Sequence, residues 1–434
     1  MWSIVSCAAI LAISWGTEGL FARFLSPKGP QVTIDYGSFI GKIEEKHNLE
    51  EFHGIPFAEP PIGKRRFANP MKPTKKYWNH DCTTYISEFG GDPDKVTIYG
   101  ESSGAISVSN QLLAYGGQHN NLFRAAICQS GTALPVGRLS EGHGQQVFDY
   151  IVTVTNCSDA TNKLDCLRQA PFEKILMNLV LKRLFHRAAT NHFPGTFSLN
   201  AFPPTFAPAV DGEFISESIQ SALKAGRFAK VPTITGDVLD EGTLLAIGAL
   251  PLQSEAELRK FLIEKVAWPS DHVEKLLQLW PQNPEFGSPF GTGSKYALTP
   301  VYKQYSALLG DLGFQAMRRF FLRETSSSMP TWSYLDQGRR NFPIFGAFHA
   351  SELPDLFGYV PGRRKEEYQA RWIAFANNED PNYPGLPYWS TYETDNSNLL
   401  IDKDGSKGME PDTFRSKPME YYLQNIDALI LRIP

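Results

Sequence analysis

The stretch that most constrains this chain is VTIYGESSGAIS, residues 96–107. Its first four residues, rich in β-branched and aromatic types, predict a strand, and residues 105–114 predict a helix. Between the two stands Gly-Glu-Ser-Ser-Gly, with Gly100 and Gly104 two positions on either side of Ser102. The pattern therefore predicts a sharp strand-to-helix turn with this serine at its apex.

A turn of this kind suits nucleophilic chemistry. A serine is a weak nucleophile unless it is held out of the sheet and another group takes its proton. Only residues without side chains are expected to fit two positions before and after such a strained apex. The following helix directs its positive end at Ser102, and the N–H of Ser103 would face a developing oxyanion, with Gly104 assisting. We expect Ser102 to be a catalytic nucleophile, and a plain glycine-rich turn is the alternative.

The partners of such a serine are expected later in the chain, an acid first and then a histidine. His349 stands late, in GAFHASELPDLFG, on a loop that follows a predicted strand. The acid candidates stand between, in VPTITGDVLDEG, where a buried strand ends at Asp237, Asp240 and Glu241. Loops at strand ends are where functional residues gather. Spacing alone does not separate Asp240 from Glu241.

Strand and helix patterns alternate along the chain. RAAIC, VPTITGDV and PTWSYLDQ are typical of buried strands, and residues 31–45 predict a hairpin. Residues 254–279 and 302–324 predict helices, the first divided at Trp268-Pro269. This alternation favours a mostly parallel α/β sheet. No segment rich in Ser, Gly or charge divides the chain, so a single domain is expected.

Two pairs of residues have the spacing of a capping box at the start of a helix. Ser254 precedes Glu257 by three positions, and Asp271 precedes Glu274 by three. We expect each pair to begin one of the two helices within residues 254–279.

Charge and hydropathy exclude some classes of function. The net charge is −4, and acidic and basic residues are interspersed, so there is no basic stripe for nucleic acid. The apolar segment from Ile4 to Trp15 is too short to span a bilayer and long enough for a signal-peptide core. We expect residues 1–19 to be a signal peptide and the protein to be secreted. A buried N-terminal segment is the alternative, and no later stretch is apolar enough to predict a membrane span.

Several stretches together resemble the type-B carboxylesterase and lipase family, in the style of its fungal members. They are FHGIPFAEPPIGKRRF, FGGDPDKVTIYGESSGA, CQSG, FAPAVDGEF, TGDVLDEGT, AFHASELPDLFG and FANNEDPN. The resemblance implies an α/β-hydrolase fold over residues 20–434, with a mostly parallel central sheet flanked by helices. It implies a triad of Ser102, Glu241 and His349, and it places Ser130, in CQSG, as the support of the acid.

The cysteines fit an oxidised protein. Cys157 and Cys166 lie nine positions apart in a polar loop and are candidates for a small disulfide, with two free thiols as the alternative. The resemblance likewise implies a disulfide involving these two residues. Cys128, in an apolar run, is expected to be a buried small hydrophobe. Cys82 has no obvious partner.

One departure from the family pattern bears on activity. We call the strand-to-helix turn at residues 100–104 the elbow. The family carries a His-Gly-Gly-Gly-type loop well before the elbow, and this sequence has none. By resemblance, about a hundred residues are missing near residues 79–85, including central strands before the elbow and the second oxyanion donor. Either the deletion is natural, in the gene or its transcript, or the gene model is wrongly joined.

The sequence therefore predicts a serine carboxylic ester hydrolase, a carboxylesterase or lipase. It would act on a small-molecule or lipid ester through an acyl-enzyme, without metal or cofactor, since His, Cys and carboxylates show no ligand spacing. The alternative is a catalytically impaired or non-catalytic relative that lacks the oxyanion loop.

Overall fold

A computed structural model of the chain describes residues 29–34, 37–46, 48–55, 58–71, 85–135, 143–177, 208–264 and 266–429. The chain divides into two compact units, Met1–Val96 with Ala160–Gln169, and Thr97–Asp159 with Ala170–Pro434. The predicted signal peptide, Cys82 and most of the predicted deletion region lie outside the described residues. The expectation of one domain over residues 20–434 stays a prediction.

The strands of the described residues fall into three sheets. They are β1 Gln31–Ile34, β2 Gly37–Ile40, β3 Lys42–Glu44, β4 Leu49–Glu51, β5 Thr97–Glu101, β6 Ala125–Gln129, β7 Thr233–Val238, β8 Thr331–Asp336, β9 Ser397–Asp402 and β10 Gly405–Pro411. The first four form two small sheets in the smaller unit, and the last six form one sheet in the larger unit.

The helices lie mostly in the larger unit. They are α1 Ser103–Leu113, α2 His143–Val154, α3 Lys163–Gln169, α4 Phe172–Leu176, α5 Ile219–Lys224, α6 Gly242–Leu245, α7 Glu255–Glu264, α8 Ser270–Leu279, α9 Tyr302–Gly310, α10 Ala316–Thr325, α11 Leu353–Leu356, α12 Arg363–Asn378, α13 Tyr392–Asp395 and α14 Ser416–Gln424. A π-helical turn, Asp311–Gln315, joins α9 to α10, so the helix predicted over residues 302–324 is continuous but locally widened.

The smaller unit holds short antiparallel pairs. β1 pairs with β2, which confirms a hairpin within residues 31–45, while β3 pairs instead with the later strand β4. The Phe89 ring lies 6.2 Å from the Phe39 ring and 5.0 Å from the Phe52 ring, centroid to centroid. In the same unit α3 reaches back through Arg168 Nε, which donates to the Arg66 carbonyl at 3.0 Å.

The larger unit is built on a six-stranded sheet in the order β5-β6-β7-β8-β9-β10. The strands from β5 to β9 are parallel, and β10 runs antiparallel to β9. Every residue of β6, β7 and β8 is buried, as expected of parallel strands covered on both faces. The mostly parallel sheet predicted from the sequence is confirmed, with β5 as its terminal strand in the described part of the chain.

The core lies where α12 packs against the middle of this sheet. A cluster of buried aromatic rings joins the sheet to α12 and the chain after it: Trp332, Tyr334, Tyr368, Trp372, Phe375 and Trp389. Trp332 and Tyr334 of β8 lie 5.7–5.8 Å from the rings of α12, centroid to centroid, so large apolar area is buried between this strand and the helix. The two loops that follow β7 and β8 therefore start from fixed points.

Helix starts show where local sequence patterns succeed and fail. Glu257 N–H donates to Ser254 Oγ at 3.2 Å, so the first predicted capping pair does begin α7. The second pair is wrong, because α8 begins one residue before Asp271, after Pro269, with no side-chain cap. Glu274 instead pairs with Arg259 of α7, with Oε1 2.6 Å from Nε.

Candidate active site

Ser102 occupies the turn between β5 and α1 in a strained backbone conformation. Its φ is 57° and its ψ is −120°, a region that non-glycine residues rarely adopt. The turn is held by the Ser102 N–H, which donates to the Gln129 carbonyl at 2.9 Å, and by the Ser102 carbonyl, which accepts from Ile106 at 3.0 Å. Such strain persists only where the surroundings enforce it, which is typical of functional positions.

The two glycines that flank Ser102 differ in what they do. A Cβ on Gly100 would lie 2.2 Å from the carbonyl carbon of Gly104, so only glycine fits there. A Cβ on Gly104 would meet nothing within 4 Å. The expectation that both positions exclude a side chain is confirmed at Gly100 and wrong at Gly104. No described residue lies close enough to exclude a side chain at Gly104.

Ser102, His349 and Glu241 form one chain of hydrogen bonds. Ser102 Oγ lies 2.8 Å from His349 Nε2, and His349 Nδ1 lies 2.6 Å from Glu241 Oε2. The three side chains come from the loops after β5, β8 and β7, all at the carboxyl edge of the sheet. A hydroxyl, an imidazole and a carboxylate in this order can activate the hydroxyl, because the imidazole takes its proton and the carboxylate stabilises the resulting cation.

The three acid candidates at the end of β7, namely Asp237, Asp240 and Glu241, have three different partners. Glu241 Oε1 accepts from the Val238 N–H at 2.8 Å, which leaves Oε2 directed at His349. Asp237 pairs instead with Arg318 Nε at 2.9 Å. Asp240 accepts from loop residues and does not touch the imidazole. The ambiguity that spacing left open is resolved by geometry in favour of Glu241.

His349 sits among acidic groups that stabilise its protonated form. Burial lowers its pKa, but the carboxylates, Glu241 first and then Glu101, outweigh burial and raise the pKa of His349 to about 9. Glu101 Oε1 lies 3.4 Å from Nε2, and burial raises the pKa of this carboxyl. Glu101 was not among the predicted site residues, although its place directly before Ser102 was the available signal.

A second set of buried residues, centred on Gln129, is hydrogen-bonded to the elbow. Gln129, whose carbonyl holds the Ser102 N–H, donates through Nε2 to Glu352 Oε1 at 3.1 Å and accepts from Trp372 Nε1 at 3.0 Å. Burial raises the pKa of Glu352 to about 8. Sequence reasoning missed these residues, because their contacts join positions more than 200 residues apart.

Ser130, the predicted support of the acid, follows β6. It is fully buried with a φ of 49°, and its N–H donates to the Gly236 carbonyl at 2.8 Å. Its hydroxyl has no hydrogen-bond partner among the described residues, so no direct bond to Glu241 is found there. Its role as support of the acid stays a prediction.

The predicted oxyanion donor lies at the start of α1. Ser103 is the first residue of this eleven-residue helix, so its N–H has no acceptor one turn earlier in the helix. The helix dipole adds a partial positive charge at the same place. Such an N–H could serve as one donor to an oxyanion, and this role of Ser103 stays a prediction.

The described cysteines are of two kinds. Cys157 and Cys166 are both disulfide-bonded. Cys128 is a buried free thiol whose pKa burial raises to about 12, so it is inert at neutral pH. Cys7 and Cys82 lie outside the described residues.

Neither a metal-binding cluster nor a membrane-spanning helix is found in the described part of the chain. It contains no group of three or more His, Cys, Asp or Glu side chains placed to hold a metal ion. None of its helices is both long enough and apolar enough to cross a bilayer.

Comparison with known proteins matches this architecture to one family. The model of the carboxylesterase family matches residues 28–85 and 82–418. The chain belongs to this family. The two matched segments meet at residues 82–85, where the sequence departs from the family pattern.

Individual relatives include fungal lipases. The chain is 34% identical over 362 residues to secreted lipase 1 of Botryotinia fuckeliana, an alignment that covers 80% of this chain and 60% of the relative. It is 33% identical over 367 residues to secreted triacylglycerol lipase LIP1 of Gibberella zeae, covering 80% and 59%. The chain thus spans about three fifths of the length of these relatives.

The fold has solved counterparts. The crystal structure of Aspergillus niger EstA superposes with a TM-score of 0.76 at 20% identity, covering 92% of this chain and 99% of that chain. A structure named PNB esterase superposes with a TM-score of 0.69 at 19% identity. At these identities the likeness concerns the fold, which is that of an α/β-hydrolase.

Proposed function

We propose that this protein is a serine carboxylic ester hydrolase, a carboxylesterase or lipase, whose catalytic residues are Ser102, His349 and Glu241. The observation that carries the proposal is the unbroken hydrogen-bond chain from Ser102 Oγ through both ring nitrogens of His349 to Glu241. The strained φ of Ser102 and membership of the carboxylesterase family support the same assignment.

The reaction follows from the geometry. Ser102 Oγ attacks the ester carbonyl carbon while His349 Nε2 accepts the hydroxyl proton. The imidazolium, stabilised by Glu241, gives that proton to the departing alcohol and leaves an acyl-enzyme. A water molecule, deprotonated by the same imidazole, then releases the acid and restores the serine. The Ser103 N–H, with Gly104 assisting, stabilises the oxyanion of each tetrahedral intermediate.

The substrate class and localisation rest on the relatives. Two of them are named as secreted lipases, which supports a small-molecule or lipid ester as substrate. The same names support secretion through a signal peptide at residues 1–19, the role that the apolar N-terminal segment predicts.

A second candidate is a catalytically impaired or non-catalytic member of the same family. The sequence has no His-Gly-Gly-Gly loop, and the family match breaks at residues 82–85. The open space beside Gly104 and the terminal position of β5 are what an internal deletion before the elbow would leave. Loss of one oxyanion donor costs about a hundred- to a thousandfold in turnover.

Hydrolysis of p-nitrophenyl esters by the wild type and by Ser102→Ala separates the two candidates. An active hydrolase predicts turnover by the wild type and only background by the variant. A cooperative thermal transition in both proteins shows that a loss is chemical and not a failure to fold. Equal rates in the two proteins would remove Ser102 from the reaction, and a folded but inactive wild type would favour the non-catalytic candidate.

A further inference from the structure

Asp240 stands directly before the proposed catalytic acid and is itself buried. The residue is 1% exposed, yet no ion pair within hydrogen-bond distance is found for it among the described residues. A buried carboxylate is costly unless its oxygens are fully hydrogen-bonded, so its contacts indicate what it is for. Those contacts reach two other loops.

The first loop is the one that carries the histidine. The Ala347 N–H donates to Asp240 Oδ2 at 2.9 Å, and the Asp240 N–H donates to the Ala347 carbonyl at 2.9 Å. Asp240 also forms an isolated parallel bridge with Phe348. The residue next to Glu241 is therefore fastened to the two residues before His349.

The second loop, which contains Ser288 and Phe290, is hydrogen-bonded to the other carboxylate oxygen of Asp240. Asp240 Oδ1 accepts from Ser288 Oγ at 2.7 Å and from the Phe290 N–H at 2.9 Å. The fit is close at the histidine loop as well, because a Cβ on Gly346, whose φ is +62°, would lie 2.3 Å from Asp240 Oδ2. One side chain thus fixes three chain segments against each other.

The three donors require a carboxylate at this position. Both oxygens accept, so an amide of the same shape would place an NH₂ group against at least one N–H or O–H donor. The charged groups that face Asp240 are Arg415 and Lys303, with Tyr302 nearby. Burial raises the pKa of Asp240 to about 6, while the hydrogen bonds from Phe290, Ser288 and Ala347 favour its ionised form.

We propose that Asp240 is a positioning residue for the triad. Its carboxylate holds the backbone of the histidine loop against the acid loop, so that His349 Nδ1 meets Glu241 Oε2. The inference rests on the proposed function, because it assigns a role within that same site. Asp240 acts through its neighbours and touches neither substrate nor reacting atoms.

Asp240→Asn tests this role, with Glu367→Gln as the matched control. Glu367 is a buried carboxylate that also accepts from a backbone N–H, that of Ser406 at 2.8 Å, and its other oxygen pairs with Arg371 Nε at 3.0 Å. We expect Asp240→Asn to lower kcat by about a hundredfold with little change in KM, because small misplacements of catalytic groups have effects of that size. The acid limb of its pH profile should move to lower pH, since a weaker contact with Glu241 lowers the pKa of His349. Glu367→Gln should lower stability only.

A readout without turnover separates this inference from the proposed function. A short Nδ1–H···O bond gives a far-downfield proton NMR resonance, which we expect in the wild type and in Glu367→Gln, and weakened or absent in Asp240→Asn. An inactive wild type that keeps the resonance, lost in Asp240→Asn, would contradict the proposed function and leave the role of Asp240 intact. An active wild type whose kcat and resonance are unchanged in Asp240→Asn would overturn the positioning role.

A second variant covers the case in which Asp240→Asn does not fold. Gly346→Ala places its Cβ against Asp240 Oδ2 and should push the histidine loop away from the acid loop. The expected result is the same loss of kcat with the same weakened resonance. Wild-type kcat and resonance in a folded Gly346→Ala would contradict the inference, as would a wild type with neither activity nor resonance.

Discussion

The two sides of the proposed active site, the acid and histidine loops on one and the elbow on the other, differ in how closely they are packed and hydrogen-bonded. After β7 and β8, the acid and histidine loops are joined by hydrogen bonds at Asp240, Thr243 and Glu241, and each loop leaves a strand that is paired on both sides. At the elbow, Ser102 follows β5, which among the described residues pairs with β6 alone, and no described residue lies beside Gly104.

This difference separates proton transfer from charge stabilisation. The groups that would move the proton of Ser102, namely His349 and Glu241, are both buried and hydrogen-bonded. Among the described residues, the group that could stabilise the oxyanion is the start of α1. On the proposed function, turnover therefore depends on what completes the oxyanion hole.

The largest effect is expected on the side of the acid and histidine loops, when the imidazole of His349 is removed. We expect His349→Ala to lose as much activity as Ser102→Ala, on the order of a millionfold, because residues that act as a unit fail together. The double variant should lose no more than either single variant. The losses are measured as kcat/KM on a p-nitrophenyl ester. Additive losses in the double variant would show that Ser102 and His349 act independently.

The next largest effect is expected at the acid. Glu241→Gln should lower kcat by about ten thousandfold, since the imidazolium loses its partner and its preferred orientation. The pH profile should change with it, because Glu241 is the main cause of the raised pKa of His349. An acid limb that stays where it is in the wild type would show that another group titrates.

Substitutions at Gly100 and Gly104 compare the packing on the two sides of the elbow through their effects on the free energy of unfolding. Gly100→Ala should destabilise the fold by about 3 kcal/mol or more, because its Cβ has no room. Gly104→Ala should be neutral or stabilising by up to about 1 kcal/mol, since alanine favours a helix start that has space beside it. Urea denaturation measures both, and a large loss in Gly104→Ala would mean that this side is as closely packed as the other.

His349 also imposes a pH dependence on stability. Its pKa rises from 6.5 to about 9 on folding, so its pairing contributes fully below pH 6.5 and is lost as pH rises through about 9. Activity should rise over the same range, because the neutral imidazole is the base. Thermal melts from pH 6 to 10 should show this loss in the wild type and less of it in Glu241→Gln.

Much of this fold was predictable because its signals are local. The turn at Ser102 is written in five consecutive residues, and β6, β7 and β8 are short apolar runs that match buried parallel strands. The family resemblance then assigned Glu241 and His349, and the structure brings both within hydrogen-bond distance of each other.

The rest depended on contacts that no local pattern contains. Asp240 and Glu241 are adjacent in sequence, and only partners 48 to 108 positions away distinguish their roles. Asp271 has capping-box spacing, but Pro269 starts α8 earlier. Ser130 lies near the acid in the family pattern, whereas here its hydroxyl has no partner among the described residues.

The intact mass of the native protein with and without a fluorophosphonate shows directly whether Ser102 is an activated nucleophile. We expect one phosphonyl group per chain, attached to Ser102 and absent in Ser102→Ala, because His349 and Glu241 would activate that hydroxyl. A folded chain of 48.5 kDa, less any signal peptide, that stays unlabelled at Ser102 would contradict it.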